Sequence, residues 1–204
     1  MTKTYKIKSR YNRYAYFYDL LEAPVEFLVF GKWRKSILEN LKGRILEVGI
    51  GTGKNLKYYP DGGSIIGIDF SEKMLEKAKS KANDEDKVSL IRMDGQKLGF
   101  NSNIFDYIIT TFVLCSIPDP IVALKEMKRV CKINGKIIML EHVKSKNQLI
   151  AMVSEILNPI TLFLFGFYVN RDTIENIKNA GLNIIEEKNL ALKDVFKLIK
   201  VMQI

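Results

Sequence analysis

The residues whose types and spacing could do chemistry lie between Glu47 and Gln96. Ile45-Leu46-Glu47-Val48 has the pattern of a buried strand, and it runs into Gly49-Ile50-Gly51-Thr52-Gly53, a glycine turn that opens a helix. Without Cβ atoms such a turn lets a ligand approach the backbone closely, and a helix start offers unpaired N–H groups to a polar ligand part. A second strand, Ser64 to Ile68, ends in Asp69, where a carboxylate can accept hydrogen bonds from both hydroxyls of a ribose. A third strand, Val88 to Met93, ends in Asp94-Gly95-Gln96, a polar edge suited to an exocyclic amino group. Together these residues describe a pocket for a nucleoside-bearing cofactor.

A dinucleotide fold shares this order of strand, glycine turn, helix and acid. Two details separate the alternatives. The third glycine of a pyrophosphate-binding turn would fall at Lys54, whereas here it comes one residue early, at Gly53. Glu47 stands just before the turn, where a carboxylate repels a pyrophosphate but suits a cationic amino-acid group. With these residues the chain resembles the class I S-adenosylmethionine (SAM)-dependent methyltransferases. The likeness continues through Phe105–Thr111 as a fourth strand, Asp119-Pro120 to Val130 as the helix after it, and Ile133-Asn134-Gly135-Lys136 leading into a fifth strand. It covers Tyr11 to Val143 with ordered motifs.

The resemblance implies an α/β, Rossmann-like fold: a seven-stranded sheet, mostly parallel with one antiparallel strand, and helices on both faces. It implies SAM as cofactor and S-adenosylhomocysteine (SAH) as product. Gly49, Gly51 and Gly53 would cradle the methionyl part, with Glu47 and Asn55 ordering its amino-acid group. Asp69 would take the ribose hydroxyls, Phe70 and Met74 would pack on adenine, and Asp94, flanked by Gly95 and Gln96, would read its amino group. Thr111 would present its backbone near the donor. Ordinary core packing competes for Phe70, Met74 and Thr111. No metal is expected, because methyl transfer from a sulfonium rests on alignment, dry surroundings and removal of the nucleophile's proton.

The elements that must position these residues are legible in outline. Trp33, Ile37, Leu38 and Leu41 repeat at helical spacing before Gly43. Ser71 is placed to cap a helix with the stripe Met74, Leu75, Ala78 and Ala82, and Asp119 to cap one with Pro120 at its first position. Asn134-Gly135 is expected to make a tight turn into Ile137 to Glu141. Ile174, Ile177 and Ala180 precede Gly181 as a helix with a glycine stop, and two strands follow, Leu182 to Glu187 and Val195 to Met202. Alternating strands and helices imply a parallel sheet, and the last pair, joined without a helix, implies an antiparallel strand. The chain is expected to be one domain, 1–204, with a helical cap at 11–42 and a substrate-side insertion at 147–170.

Tyr11 and Tyr18 stand two helical turns apart, so both phenols can face one side. Tyr11-Asn12-Arg13-Tyr14-Ala15-Tyr16-Phe17-Tyr18-Asp19 resembles the opening Y-D-x-x-A-x-x-Y-D of quinone C-methyltransferases and bacterial phospholipid N-methyltransferases, with Asn12 replacing the first acid. That resemblance implies tyrosines that close over SAM or face the acceptor. His142, after the fifth strand, could take an acceptor proton, since its unperturbed pKa is about 6.5. Cys115 is expected to be a lining or core thiol rather than a nucleophile.

The 204 residues carry a net charge of +9, with 25 lysines to 7 arginines, two cysteines and one histidine. That cysteine count excludes a disulfide framework and fits a reducing cytoplasm. The scattered lysines suit a solvated surface, apart from the basic first thirteen residues, which could contact an anionic membrane. The longest uncharged stretch, Ile156 to Asn170, is shorter than the roughly twenty residues of a spanning helix. Its apolar and aromatic residues suggest burial, a greasy pocket or an interfacial surface. Ile109-Thr110-Thr111-Phe112 is not the N/D-P-P-Y type motif that serves exocyclic nitrogens of bases, so nucleic acid is a disfavoured partner. The Val113-Leu114-Cys115-Ser116 and Glu141-His142-Val143 segments resemble those of methyltransferases acting on lipid-like acceptors. Phosphatidylethanolamine N-methylation is the first expectation, quinone C-methylation and thiol S-methylation the next. A SAM-binding protein without activity and an RNA methyltransferase are the alternatives from other classes. The sequence carries no sign of an oligomeric state.

Overall fold

In each central strand, neighbouring residues enter two different hydrophobic cores, so the sheet they form must be covered on both faces. Leu46, Ile108, Ile137 and Ile199 enter one core, while Ile45, Ile109, Ile138 and Leu198 enter the other. The computed structural model describes residues 3–61, 63–82 and 88–203, with the side chains of 3–6, 8, 14–18 and 21 outside the described residues.

The chain begins with helix α1 (Lys3–Val25), a π-helical turn (Glu26–Phe30) and helix α2 (Gly31–Leu38). Then follow β1 (Arg44–Val48), β2 (Ser64–Asp69), α3 (Glu72–Lys79), β3 (Val88–Arg92), β4 (Phe105–Thr111) and α4 (Pro120–Val130). The second half holds β5 (Cys131–His142), α5 (Gln148–Leu164), α6 (Thr173–Asn179), β6 (Leu182–Ala191) and β7 (Phe196–Gln203). The seven strands lie in the order β3-β2-β1-β4-β5-β7-β6. The first five are parallel, and β7 runs antiparallel to both neighbours.

Helix starts follow the capping chemistry. Ser71 Oγ accepts the Met74 N–H at 3.2 Å, and Asp119 accepts those of Ile121 and Val122 at 3.1 Å, with Pro120 at the first turn. Three expectations need correction. The glycine turn opens no α-helix: only the single 3-10 turn Leu56–Tyr58 follows it before β2. Residues 131–142 form one strand, so Asn134-Gly135 is not a turn between helix and strand. It lies in an irregularity where Cys131 pairs with Phe105 and Lys136 already pairs with Tyr107. The strand absorbs the extra residues as a bulge, because α4 ends at Val130 and leaves Cys131 extended. Strand β6 also continues past Glu187 to Ala191, since its pairing with β7 carries on to Phe196.

The order reverses between β1 and β4, the point in an open α/β sheet where a crevice opens beyond the strands' carboxyl ends. Among the segments that reach that edge are α1, the turns after β1, β2 and β3, the loop after β4, and the chain between His142 and Asp172.

Candidate functional site

A groove runs across the carboxyl ends of β1, β2, β3 and β4, and most of the residues singled out for a cofactor line it. Gly49, Gly51, Asp69, Phe70, Met74, Asp94, Gly95 and Thr111 are all in its wall, and Tyr11 closes one side from α1. Gly49 and Gly51 both adopt positive φ, +73° and +56°. They differ in surroundings. A Cβ on Gly49 would sit 2.5 Å from Val113 Cγ2, whereas one on Gly51 would meet nothing within 4 Å, so Gly51 bares its backbone to the groove.

Asp69 is buried at the end of β2 and accepts the backbone N–H groups of Gly51 at 3.0 Å and Ser71 at 2.8 Å. Burial pushes its pKa up to about 6 against backbone hydrogen bonds from Ser71, Gly51 and Phe70. A carboxylate has about four acceptor positions, so the backbone donors leave room for a ribose hydroxyl. The exposed Gly51 backbone and this carboxylate fit the methionyl and ribose parts of SAM. Asp94, at the groove's far end, is braced by Gln96, whose N–H and Nε2 lie 2.9 and 3.1 Å from Asp94 Oδ1. Gln96 itself is not in the groove wall; its Oε1 accepts the Asp119 N–H at 3.0 Å.

Gly53 also stands away from the groove. Its φ is +77° and a Cβ there would lie 3.0 Å from Ala78 Cα, so its role is close packing of the turn on α3. Glu47 and Asn55 lie beneath the groove, 1% and 0% exposed. Asn55 Nδ2 donates to Glu47 Oε1 at 2.8 Å and Tyr59 Oη donates to Glu47 Oε2 at 2.8 Å. Burial raises the Glu47 pKa to about 7, against these hydrogen bonds and the nearby Arg34 charge. Arg34, which sequence reasoning passed over, donates to Asn55 Oδ1 at 2.9 Å and to Thr111 Oγ1 at 2.8 Å. A signal existed: Arg34, Ile37, Leu38 and Leu41 share one helical face, and a charge on an apolar stripe needs a buried partner.

The cap is pinned to this floor by polar contacts from α1. Ser71 Oγ donates to Asn12 Oδ1 at 2.6 Å, and Asp19 accepts from Thr52 Oγ1 and Lys81 Nζ, each at 2.6 Å. Asn12 thus serves as a docking acceptor. Tyr11 stands edge-on to Phe70, ring centroids 6.0 Å apart, and its phenol bonds to Ser116. Burial raises its pKa, so the phenol stays protonated at neutral pH. The Tyr18 side chain lies outside the described residues.

Tyr11 and Phe112 also line a second cavity, of about 460 Å³, which abuts the groove. Aromatic and aliphatic side chains from three distant segments wall it: Phe165 and Phe167, Val153 and Leu157 of α5, and Phe196 of β7. His142 faces it. Its Nε2 lies 3.1 Å from the Tyr168 carbonyl oxygen, which can only accept, so the neutral ring carries its proton on Nε2 and its basic lone pair on Nδ1. Burial lowers the His142 pKa, and this ring is uncharged at neutral pH. Cys115 lines the cavity as a buried thiol whose pKa burial and Glu141 raise, a state opposed to nucleophilic thiolate chemistry.

The partition between groove and cavity is held under tension. Phe112 has φ +60°, a rare conformation for an aromatic residue, and such strain persists only where neighbours over-determine it. Here Glu141, fully buried, accepts the N–H of Val113 at 3.0 Å and the Thr110 hydroxyl at 2.8 Å. The Phe112 ring packs 4.6 Å from Phe30 and 6.0 Å from Phe196, centroid to centroid.

Helix α5 has no buried residue: Leu149, Met152, Ile156, Ile160 and Phe163 are exposed, and so are Val153 and Leu157, which line the cavity. Of the basic first segment, Arg13 is exposed and Arg10 lies against Gly166. No helix among the described residues is long and apolar enough to cross a membrane.

Residues 46–139 match the model of a methyltransferase domain. The demethylmenaquinone methyltransferase of Staphylococcus saprophyticus is 30% identical over 183 residues, covering 85% of this chain and 78% of that one. That of Staphylococcus aureus is 39% identical over 132 residues, 61% of this chain, and the match spans only 55% of the relative. Among solved structures, a SAM-dependent methyltransferase of Thermotoga maritima superposes with a TM-score of 0.72 at 19% identity, covering 96% of this chain and 99% of the other. The [4+2]-cyclase SpnF shares the fold with a TM-score of 0.69 at 16% identity, covering 84% of this chain and 78% of the other. With the groove's geometry and these relatives in agreement, the chain belongs to the class I SAM-dependent methyltransferases.

Proposed function

We propose that this chain methylates a ring carbon of a reduced, lipid-soluble quinone, using SAM as donor. The observation that carries the reading is the shared wall: Tyr11 and Phe112 separate a polar cofactor groove from an apolar, aromatic-lined cavity large enough for a ring system. When bound, SAM supplies a methyl group on a sulfonium, whose positive charge is lost as the methyl leaves. In the groove, Gly49 and Gly51 hold its methionyl part, Asp69 its ribose, and Phe70, Met74 and Asp94 its adenine. Glu47 and Asn55 act from below, on the loop rather than on the ligand.

The acceptor's hydroxyl must lose its proton for the neighbouring ring carbon to become a strong nucleophile. His142 is the base, through Nδ1. Tyr11 is not, because its raised pKa keeps it a donor, and it serves to close the groove. The aromatic walls orient a flat ring, and the relatives carrying the name demethylmenaquinone methyltransferase support a quinone. A phosphatidylethanolamine head group, the first expectation from the sequence, brings a charged ammonium to a mostly apolar wall whose carboxylate, Glu22, is already paired with Lys54. The exposed apolar side chains of α5 support docking on a lipid surface, from which a water-insoluble quinol reaches the cavity.

The test is incubation with methyl-labelled SAM and four acceptors in parallel: a chemically reduced demethylated naphthoquinol, phosphatidylethanolamine vesicles, an aliphatic thiol and RNA. Label is expected in the quinol alone. Label confined to any other acceptor, or none in the quinol while SAH still binds, overturns the proposal.

A further inference from the structure

Arg34 binds three parts of the molecule at once, adding to the Asn55–Thr111 hydrogen bond and to the contact of Asp19 with Thr52. Its guanidinium, 4% exposed, donates to Asn55 in the β1 loop and to Thr111 at the end of β4. Its Nε donates to Glu26 at 3.1 Å, and its Cζ lies 5.5 Å from the centre of the strained Phe112 ring. The Glu26 pairing depends on the helix break. In an unbroken α-helix, residues eight apart are turned about 80° from one another. The π-helical turn at Glu26–Phe30 inserts one residue's worth of register, which returns Glu26 and Arg34 to one face.

We propose that Arg34 is a positioning residue, which clamps the helical cap to the cofactor loop so that the cap's seating and SAM binding are set together. The inference rests on the SAM reading above. Arg34 touches neither groove nor cavity in its own right; it acts through Asn55, Thr111 and Phe112. Through Asn55 it also fixes Glu47, whose charged and titratable neighbours are Arg34, Tyr59 and Asp69. Arg34 is the cation among them, so it favours the Glu47 carboxylate, while Asp69 opposes it. A lysine at this position would keep the charge but not the planar fork that spans Asn55, Thr111 and Glu26 at once.

The experiment measures SAH dissociation constants by calorimetry, with thermal melts, for the wild type, Arg34→Lys and Arg34→Met across about pH 6 to pH 8. Arg34→Met is expected to weaken SAH roughly 10- to 100-fold, the range for losing buried hydrogen bonds to a charged group, and to move the pH dependence of binding upward. Arg34→Lys is expected to leave that pH dependence in place and still bind weakly. A purely structural arginine would lower the melting temperature and leave SAH affinity in the folded protein unchanged. That outcome, in whichever of the two variants folds, overturns the inference. A wild-type chain that binds no SAH overturns the cofactor reading itself, and this inference with it.

Discussion

Asp69 accepts the Gly51 N–H at 3.0 Å, so the end of β2 fixes the conformation of the turn that leaves β1. One carboxylate thereby shapes the backbone cradle and offers its remaining acceptor positions to the ribose. Asp69→Asn replaces an acceptor with a donor facing either Gly51 or a ribose hydroxyl. SAH affinity is expected to fall roughly 10- to 100-fold. Because burial holds the Asp69 pKa near about 6, wild-type affinity should also weaken as pH falls through that value. The asparagine variant should lack that dependence. Calorimetric titration across the window checks both, and equal affinities would remove Asp69 from the site.

The two lining glycines should separate folding from binding. Gly49→Ala puts a methyl 2.5 Å from Val113 at φ +73°, adding overpacking of about 1–3 kcal/mol to left-handed strain of about 1–2 kcal/mol. Gly51→Ala bears only the strain, but its methyl projects into the groove. Melting curves should show the larger loss for Gly49→Ala. SAH titration should show the larger loss of affinity, relative to stability, for Gly51→Ala.

His142→Gln keeps an N–H for the Tyr168 carbonyl and removes the base. Its kcat on the quinol is expected to drop about 10²- to 10⁴-fold with SAH affinity unchanged. The His142 pKa lies below its ordinary value, so the uncharged base is lost only as pH falls below about 6.5. The wild-type rate should therefore be flat near neutrality and decline on the acid side. Retention of that acid limb in His142→Gln would assign it elsewhere.

Ile156 and Phe163, 65% and 73% exposed, contribute little to folding where they stand. Ile156→Lys combined with Phe163→Lys should leave the melting temperature nearly unchanged, within the roughly 0.5 kcal/mol usual for surface changes. Sedimentation with anionic vesicles should be lost, as should methylation of a vesicle-embedded quinol. A short-chain, water-soluble quinol should still be methylated. Undiminished vesicle binding would place the membrane contact on another face.

Local signals carried the cofactor half of the molecule. The glycine turn, Asp69, the Ser71 cap and the Asp119-Pro120 helix start each depend on neighbours within a few residues, which one sequence displays. The acceptor side was harder, because Phe196 meets Phe112 and Phe30 only after β7 inserts beside β5. Arg34 and Tyr59 were missed for the same reason, their partners lying in other elements. Asn134-Gly135 misled because a good turn dipeptide also fits a bulge. The approach of α3 to Gly53 was likewise hidden, since Ala78 lies in another element. The apolar run 156–170 left burial and exposure undecided, since both need greasy residues and only packing separates them.

The two cavities draw on different parts of the chain. The cofactor groove is built mainly from residues within 46–139, whereas most of the second cavity's wall comes from outside them, from the first helix, α5 and the terminal hairpin. Variation in those outlying segments can therefore retune which molecule is modified while the donor machinery is inherited intact. Diversification of such enzymes then becomes a matter of exchanging the periphery around a fixed engine.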